Sequence, residues 1–272
     1  MAITTLDGIV NGLGNAAQGL IINKASISTQ LAGGFTSLWR ATGTPAQGAI
    51  PATAAVCTKA LTGAVGFNNP STGICSYLAR MMMLSGNSAT DVQLHDRLAH
   101  MGGMSGIVTT AQTAEVDVSA SSNNMGLRRG DANYSYVQWW LEWYTATGAT
   151  AVTATVSYTN AAGVSGKTTT VSVAASVAAS RMLPILGAGG EFIQSIQNVT
   201  LSATTGIAGS FGVTATRTLC GLSCTLANSS IIGDWAMSGF PRVHDDACLM
   251  LVMIPGSTTS GSLYGTCKLI QG

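Results

Sequence analysis

The sequence predicts a mainly β fold, an antiparallel β-sandwich or jelly-roll-like body preceded by an N-terminal helix and an extended arm. Three observations predict it. From about residue 77 onward, short runs rich in Val, Thr and aromatic residues alternate apolar with polar positions. Clusters of Gly, Ser, Thr and Asn separate these runs with the chemistry of turns. The regular strand-then-helix alternation of a parallel α/β fold is missing.

Within residues 6–20, Leu6, Ile9, Val10, Leu13, Ala17 and Leu20 recur at spacings of three and four, which places them on one helical stripe. Gly8, Gly12, Gly14 and Gly19 each weaken a helix by about 1 kcal/mol relative to Ala. This helix is therefore expected to lean on something else, another subunit included. Residues 32–51 are broken by Gly and Pro and hold neither period for long, as an extended arm would be. Its anchors Phe35, Leu38, Trp39 and Ile50 are costly to leave in water, so the arm should lie across a surface. The expected division is an intersubunit helix and arm in residues 1–75 and a β-sandwich body in residues 76–272.

In residues 134–144 (YSYVQWWLEWY), Val137, Trp139, Leu141 and Trp143 share one strand face that should enter a core. The opposite face carries Tyr136, Gln138, Trp140, Glu142 and Tyr144, too aromatic for a plain solvated surface and suited to contact. Three hairpins are expected: residues 152–159 with 167–173, 192–203 with 211–219, and 248–254 with 262–270.

Composition narrows function. The chain is 46% hydrophobic and 8% charged, against about 25% charged in an ordinary soluble domain. Twelve Lys and Arg against eleven Asp and Glu leave a net charge of +1, which provides no field for nucleic acid or an anionic membrane. So sparse a charge also gives little repulsion between copies, the pattern of a building block in a homo-oligomer. The start lacks a basic segment followed by an apolar one, so no secretory signal is read there. No run approaches the ~18 apolar residues of a membrane span.

Catalytic patterns do not assemble. The polar clusters at residues 95–100 and 242–246 contain His95, His100, His244, Asp245 and Asp246, which could bind a divalent metal if they met. Their spacing matches no zinc signature, and pairing of scarce charges at contacts is the simpler reading, so no metal and no cofactor is expected. Arg128 and Arg129 read as a solvated pair, and residues 81–84 (MMML) as adaptable core. The six cysteines read as small buried hydrophobes. Cys220 and Cys224 could be bridged only with Cα atoms within about 7 Å. No hydrolase elbow or phosphate loop is present, and the chain reads as a non-enzyme.

The phrases FTSLWRATGTPAQGAIPATAAVC, LHDRLAHMGGMSGIVTTAQT, YVQWWLEWYTATGATAVTATVSYTN, SIQNVTLSATTGIAGSFGVTATR and GSLYGTCKLIQG together resemble structural proteins of tailed bacteriophages, over most of the chain. The resemblance implies a virion component made in the host bacterial cytoplasm, most like a capsid-associated decoration or cement protein. Neck or collar, fibre and tail roles are the alternatives. It implies as partners copies of the same chain and other virion proteins, the major capsid protein first, and it carries no catalytic residue. The expected interface residues are Leu6, Ile9, Leu13, Phe35, Leu38, Trp39, Trp140 and Tyr144. A host-glycan-binding module would instead stack sugars on Trp140 and Tyr144.

Overall fold

The computed structural model describes residues 3–15 and 17–272. Helix α1 (Leu6–Asn15) opens the chain, its first turn capped by the Thr5 hydroxyl, which accepts from Gly8 N at 3.1 Å. The helix does not continue to Leu20 as expected. Strand β1 (Gln18–Lys24) begins there, with Leu20, Ile22 and Lys24 buried and Ile21 and Asn23 exposed, because a period of two fits a sheet and cannot follow a helical stripe. Ala17 of that stripe still packs beside Ile9 and Leu13.

Three short strands follow, β2 (Thr36–Ser37), β3 (Gly43–Thr44) and β4 (Ala55–Val56). The long strands β5 (Ser76–Ser85), β6 (Thr90–Met104) and β7 (Gln112–Asp117) precede the single-turn helix α2 (Met125–Arg128). Then come β8 (Gln138–Thr145), β9 (Val152–Asn160), β10 (Lys167–Val173), β11 (Met182–Ile185), β12 (Ile193–Leu201) and β13 (Ser210–Cys224). The chain closes with β14 (Ser230–Asp234), helix α3 (Trp235–Ser238), β15 (Arg242–Val243), β16 (Leu249–Ile254) and β17 (Leu263–Gln271).

These strands form three antiparallel sheets, which bears out the β-sandwich class. The central sheet runs β11-β8-β13-β6-β16-β2, with β4 also on β6; a second runs β14-β5-β17-β1-β3, with β15 on β5; a third runs β10-β9-β12-β7. One half of the central sheet packs on the third sheet through Trp139, Leu141, Trp143, Phe211 and Val213 against Val156, Tyr158, Ile196 and Val199. Its other half packs on the second sheet through Leu94, Leu222 and Leu251 against Ile22, Met81, Met83 and Leu269. β6 and β13 are long enough, at 15 residues each, to serve both cores.

The first expected hairpin forms, with Lys167 opposite Tyr158 and Val173 opposite Val152. The other two do not. β12 pairs with β7 and β9, whereas β13 pairs with β6 and β8; likewise β16 pairs with β6 and β2, whereas β17 pairs with β5 and β1. In both cases the turn-rich loop carries the chain from one layer to the other. Alternation fixes which side chains face a core but is indifferent to which strand lies alongside.

The back of the central sheet, away from the other two sheets, is covered by residues 35–64. Trp39, Cys57 and Ala64 are buried there with Trp140, Tyr144, Met182, Met250 and Val252, and Phe35, Ile50 and Leu61 pack on them. Trp39 fits because Gly48 lies over its indole, where a Cβ would come within 2.2 Å of the ring. The N-terminal segment is thus woven into the same layers as the body: β1 lies between β17 and β3, and β2 extends the central sheet. Cys220 and Cys224 share one extended strand, four residues and so about 13 Å apart, which excludes a bridge between them. All six cysteines are free.

Candidate functional site

Two features stand out once the layers are in place. One is a polar network sealed between the central sheet and the segment over it. The other is a sheet face that none of the described residues covers.

The network grows from strand alternation on β6 and β8. Arg97 and Glu142, both fully buried, meet at 2.8 Å. Arg97 also donates to Tyr144 Oη at 2.9 Å, to Thr214 Oγ1 at 3.1 Å and, through Nε, to His100 Nδ1 at 2.9 Å. Its guanidinium lies 4.6 Å from the Trp39 ring centroid, a cation–π contact in a dry setting. Burial pushes the Glu142 carboxyl up, but the Arg97 charge and hydrogen bonds from Arg97, Thr214 and Ser37 outweigh it and hold the group below the usual carboxylate range. Burial likewise works against the charged Arg97, and Glu142 overrides it.

A second buried pair ties the network to four segments. Arg128 of α2 grips Asp96 with both Nε (2.9 Å) and Nη2 (2.6 Å), the bidentate geometry that suits arginine. It donates further to Cys57 O at 2.8 Å and Arg97 O at 3.0 Å. Asp96 in turn accepts from Cys248 N at 2.9 Å. Arg128 is therefore not the solvated residue expected from its loop; it fastens β6, the N-terminal segment and β16 to α2.

These contacts revise the expected interface set. Leu38, Trp39, Trp140 and Tyr144 are buried inside the chain, and Phe35 packs at 4.8 Å on Trp140. The arm and the aromatic face of β8, both read as surfaces for neighbours, cover each other, since each is apolar and the chain places them in register. Trp140 keeps only 3% exposure and its indole N–H donates to Thr216 Oγ1 at 2.8 Å, which leaves no ring face for a sugar. Ile9 is buried and Leu13 partly buried where α1 seats on Ile270 and Ala79; Gly12 allows this approach, as a Cβ there would stand 3.1 Å from Ile270. Leu6 remains exposed.

The polar cluster at 95–100 and that at 242–246 do not join as a metal site: among the described residues no group of three or more His, Cys, Asp or Glu is placed to hold an ion. Asp246 approaches Lys59 and accepts from Asn69 Nδ2 at 3.0 Å. His95 is buried, with Nδ1 3.1 Å from Thr216 Oγ1 and Nε2 2.9 Å from Gln93 Oε1. Burial lowers its pKa to about 3, and burial, then the charges of Arg242 and Arg217, lowers that of His244 to about 4. An unfolded histidine titrates near 6.5. As pH falls below that value the unfolded chain takes up protons that the folded one refuses, so stability should be full above pH ~6.5 and drop steadily toward pH ~3. Urea titrations at several pH values should show this slope, and His95→Gln should flatten it. Equal slopes in the two proteins would remove His95 from the account.

The uncovered face belongs to the second sheet. Register places Ile21, Thr266, Met82 and Ile232 in one row across β1, β17, β5 and β14, and Asn23, Tyr264, Leu84 and Ser230 in the next. Ile21, Ile232 and Tyr264 are 68%, 52% and 47% exposed, and Met82 and Leu84 are half-buried. The following row carries Lys268, Arg80 and Asp234. Beyond it the same face is closed by α1 and α3 over Tyr77, Ala79 and Ile270. Leu6 and Val10 of α1 and Met237 of α3 add exposed apolar surface alongside. A contiguous apolar band with a polar rim is the usual mark of a protein contact. Residues 81–84, expected as core, divide between the two faces, Met81 and Met83 inward and Met82 and Leu84 outward; Ile21, Ile232 and Tyr264 were not expected at all, although the outward Ile21 between inward Leu20 and Ile22 was an available signal.

Among the described residues no helix is long and apolar enough to cross a membrane. No family model matches the chain, and no curated protein matches it. Among solved structures, it aligns with a mutant VP2 protein of infectious bursal disease virus from derived T=1 particles, over 94% of this chain and 77% of that one, at 10% identity and a TM-score of 0.18. It also aligns with a structure of the Gt strain of the same virus, over 94% and 80% of the two chains, at 9% identity and a TM-score of 0.19. Scores this low establish no common topology between this chain and those capsid proteins.

Proposed function

We propose that this chain is a structural, non-catalytic subunit of a tailed-phage virion, a capsid-associated decoration protein that cements the assembled particle. The observation that carries the reading is the apolar band of Ile21, Met82, Ile232 and Tyr264, displayed on a rigid sheet and edged by Lys268, Arg80 and Asp234. Low charge and the resemblance to tailed-phage structural proteins support it. Its partners are copies of itself and other virion proteins, with the major capsid protein as the main ligand of the band. Cementing needs no turnover: a subunit that binds the assembled lattice and not the dispersed shell proteins stabilises the lattice by linkage. A neck, collar, fibre or tail station would use the same face on a different neighbour.

The test is to mix the purified protein with phage particles, sediment them and locate its density by cryo-EM. Co-sedimentation with density over the shell, the Ile21 and Ile232 face turned toward a neighbour, and contacts of about 1,200–2,000 Å² are expected. A protein that stays monomeric and remains in the supernatant overturns the reading; density at the neck or tail moves it to that station.

A further inference from the structure

Two thiols meet at one end of the buried network. β4 and β16 pair with the same edge of β6, Val56 opposite Ala99 and Leu249 opposite Asp96. Between them, Cys57 N donates to Leu98 O at 2.9 Å, and Arg97 N donates to Cys248 O at 2.8 Å. The two cysteines therefore succeed one another along a single strand edge although 191 positions separate them in the chain. Both are fully buried in the cluster of Trp39, Trp140 and Met250. Cys248 and His100 are the groups that act most directly on the Cys57 thiol.

The surroundings make the two sulfurs unequal. Because Arg97 Nε–H donates to His100 Nδ1, a neutral His100 carries its ring proton on Nε2 and can donate it. Burial alone raises both thiols; the hydrogen bonds of Cys248 and His100 and the nearby Arg97 charge pull Cys57 down, while Cys248 stays raised. The surroundings thus favour the ionised form at Cys57 and disfavour it at Cys248. His100 also lines a cleft of about 300 Å³ bounded by Trp39, Ala49, Pro51, Thr53 and Leu61. Two neighbouring thiols of unequal acidity beside a cleft point to sulfur redox chemistry.

We propose that Cys57 and Cys248 are an oxidisable pair that a small hydroperoxide, entering by the cleft over His100, closes to a disulfide. The Cys57 thiolate attacks one peroxide oxygen; the O–O bond breaks, the departing hydroxide takes a proton to become water, and Cys57 becomes a sulfenic acid. The Cys248 sulfur then attacks the Cys57 sulfur, the S–O bond breaks, and the second hydroxide leaves with the Cys248 proton as water. Two electrons from the two thiols have reduced one hydrogen peroxide to two waters. The new bond fastens the segment over the central sheet to β16. This inference is independent of the function proposed above.

The full-length native protein is treated with hydrogen peroxide, blocked with N-ethylmaleimide after unfolding, and mapped by peptide mass spectrometry. Four of the six cysteines should remain alkylatable, with a Cys57–Cys248 linked peptide, an intact mass lower by about 2 Da and a higher urea midpoint that dithiothreitol reverses. In Cys248→Ser, dimedone should trap Cys57 and no link should form. Six alkylatable thiols, a link among other cysteines, or Cys57 oxidised no faster than the buried Cys267 would each overturn the proposal. The wild-type readout does not depend on any variant folding.

Discussion

Glu142→Ala is expected to lower the unfolding free energy by about 3–5 kcal/mol, because it leaves the Arg97 guanidinium buried without its counter-charge. The two groups meet at 2.8 Å with both side chains at zero exposure, so water cannot replace the lost partner. Tyr144, Thr214 and His100 would still accept or share hydrogen bonds from Arg97, but none of them carries a compensating negative charge. Arg97→Met should cost a similar amount by stranding the carboxylate. The paired change Arg97→Met with Glu142→Leu should recover much of the loss, since an apolar pair avoids the desolvation of two ions. Urea unfolding at pH 7 measures all three. A loss below about 1 kcal/mol in the single variants, within the range of an exposed pair, would show that this pair is solvated in the protein. Trp39→Ala belongs to the same group: the indole stacks on Arg97 and fills the back of the sheet, so it should cost about 3–5 kcal/mol of stability and is unsuited to testing an interface.

Ile21→Asp combined with Ile232→Asp should abolish particle binding while leaving the fold nearly as stable as before. Both side chains are more than half exposed on the outer face of the second sheet, and surface substitutions of this kind usually change stability by no more than about 0.5 kcal/mol each, with up to about 1 kcal/mol for placing Asp in a strand. An interface whose apolar centre receives two carboxylates should lose at least about 2 kcal/mol per central residue, or roughly 30-fold in affinity each. Sedimentation with particles and a urea curve on the same preparation separate the two effects. Unchanged incorporation of the double variant would show that this band is not the contact.

The clusters around Asp96 and Arg97 show how far a sequence goes toward a site. That residues 95–100 gather scarce charges was legible, as was the expectation that they pair rather than bind metal. Their partners were not, because Arg128 and Glu142 lie 32 and 45 positions away and looked like a loop residue and a strand-surface residue. Only the stacking of β8, β13 and β6 in one sheet brings Glu142 and Thr214 to Arg97. The Cys57–Cys248 meeting is still less legible, since neither cysteine belongs to a recognisable spacing.

The sequence by itself determined the β class, the face each residue of β8 and β9 presents, the β9–β10 hairpin and the presence of an apolar arm, because these follow from local periodicity and turn chemistry. Tertiary structure decided that β12 and β13 part company, that β16 and β17 do the same, and that the arm lies on this chain's own central sheet. The physical reason is common to all three. Burial of apolar surface is non-directional, so an apolar face states that it must be covered and leaves the identity of the cover to the packing of the whole chain.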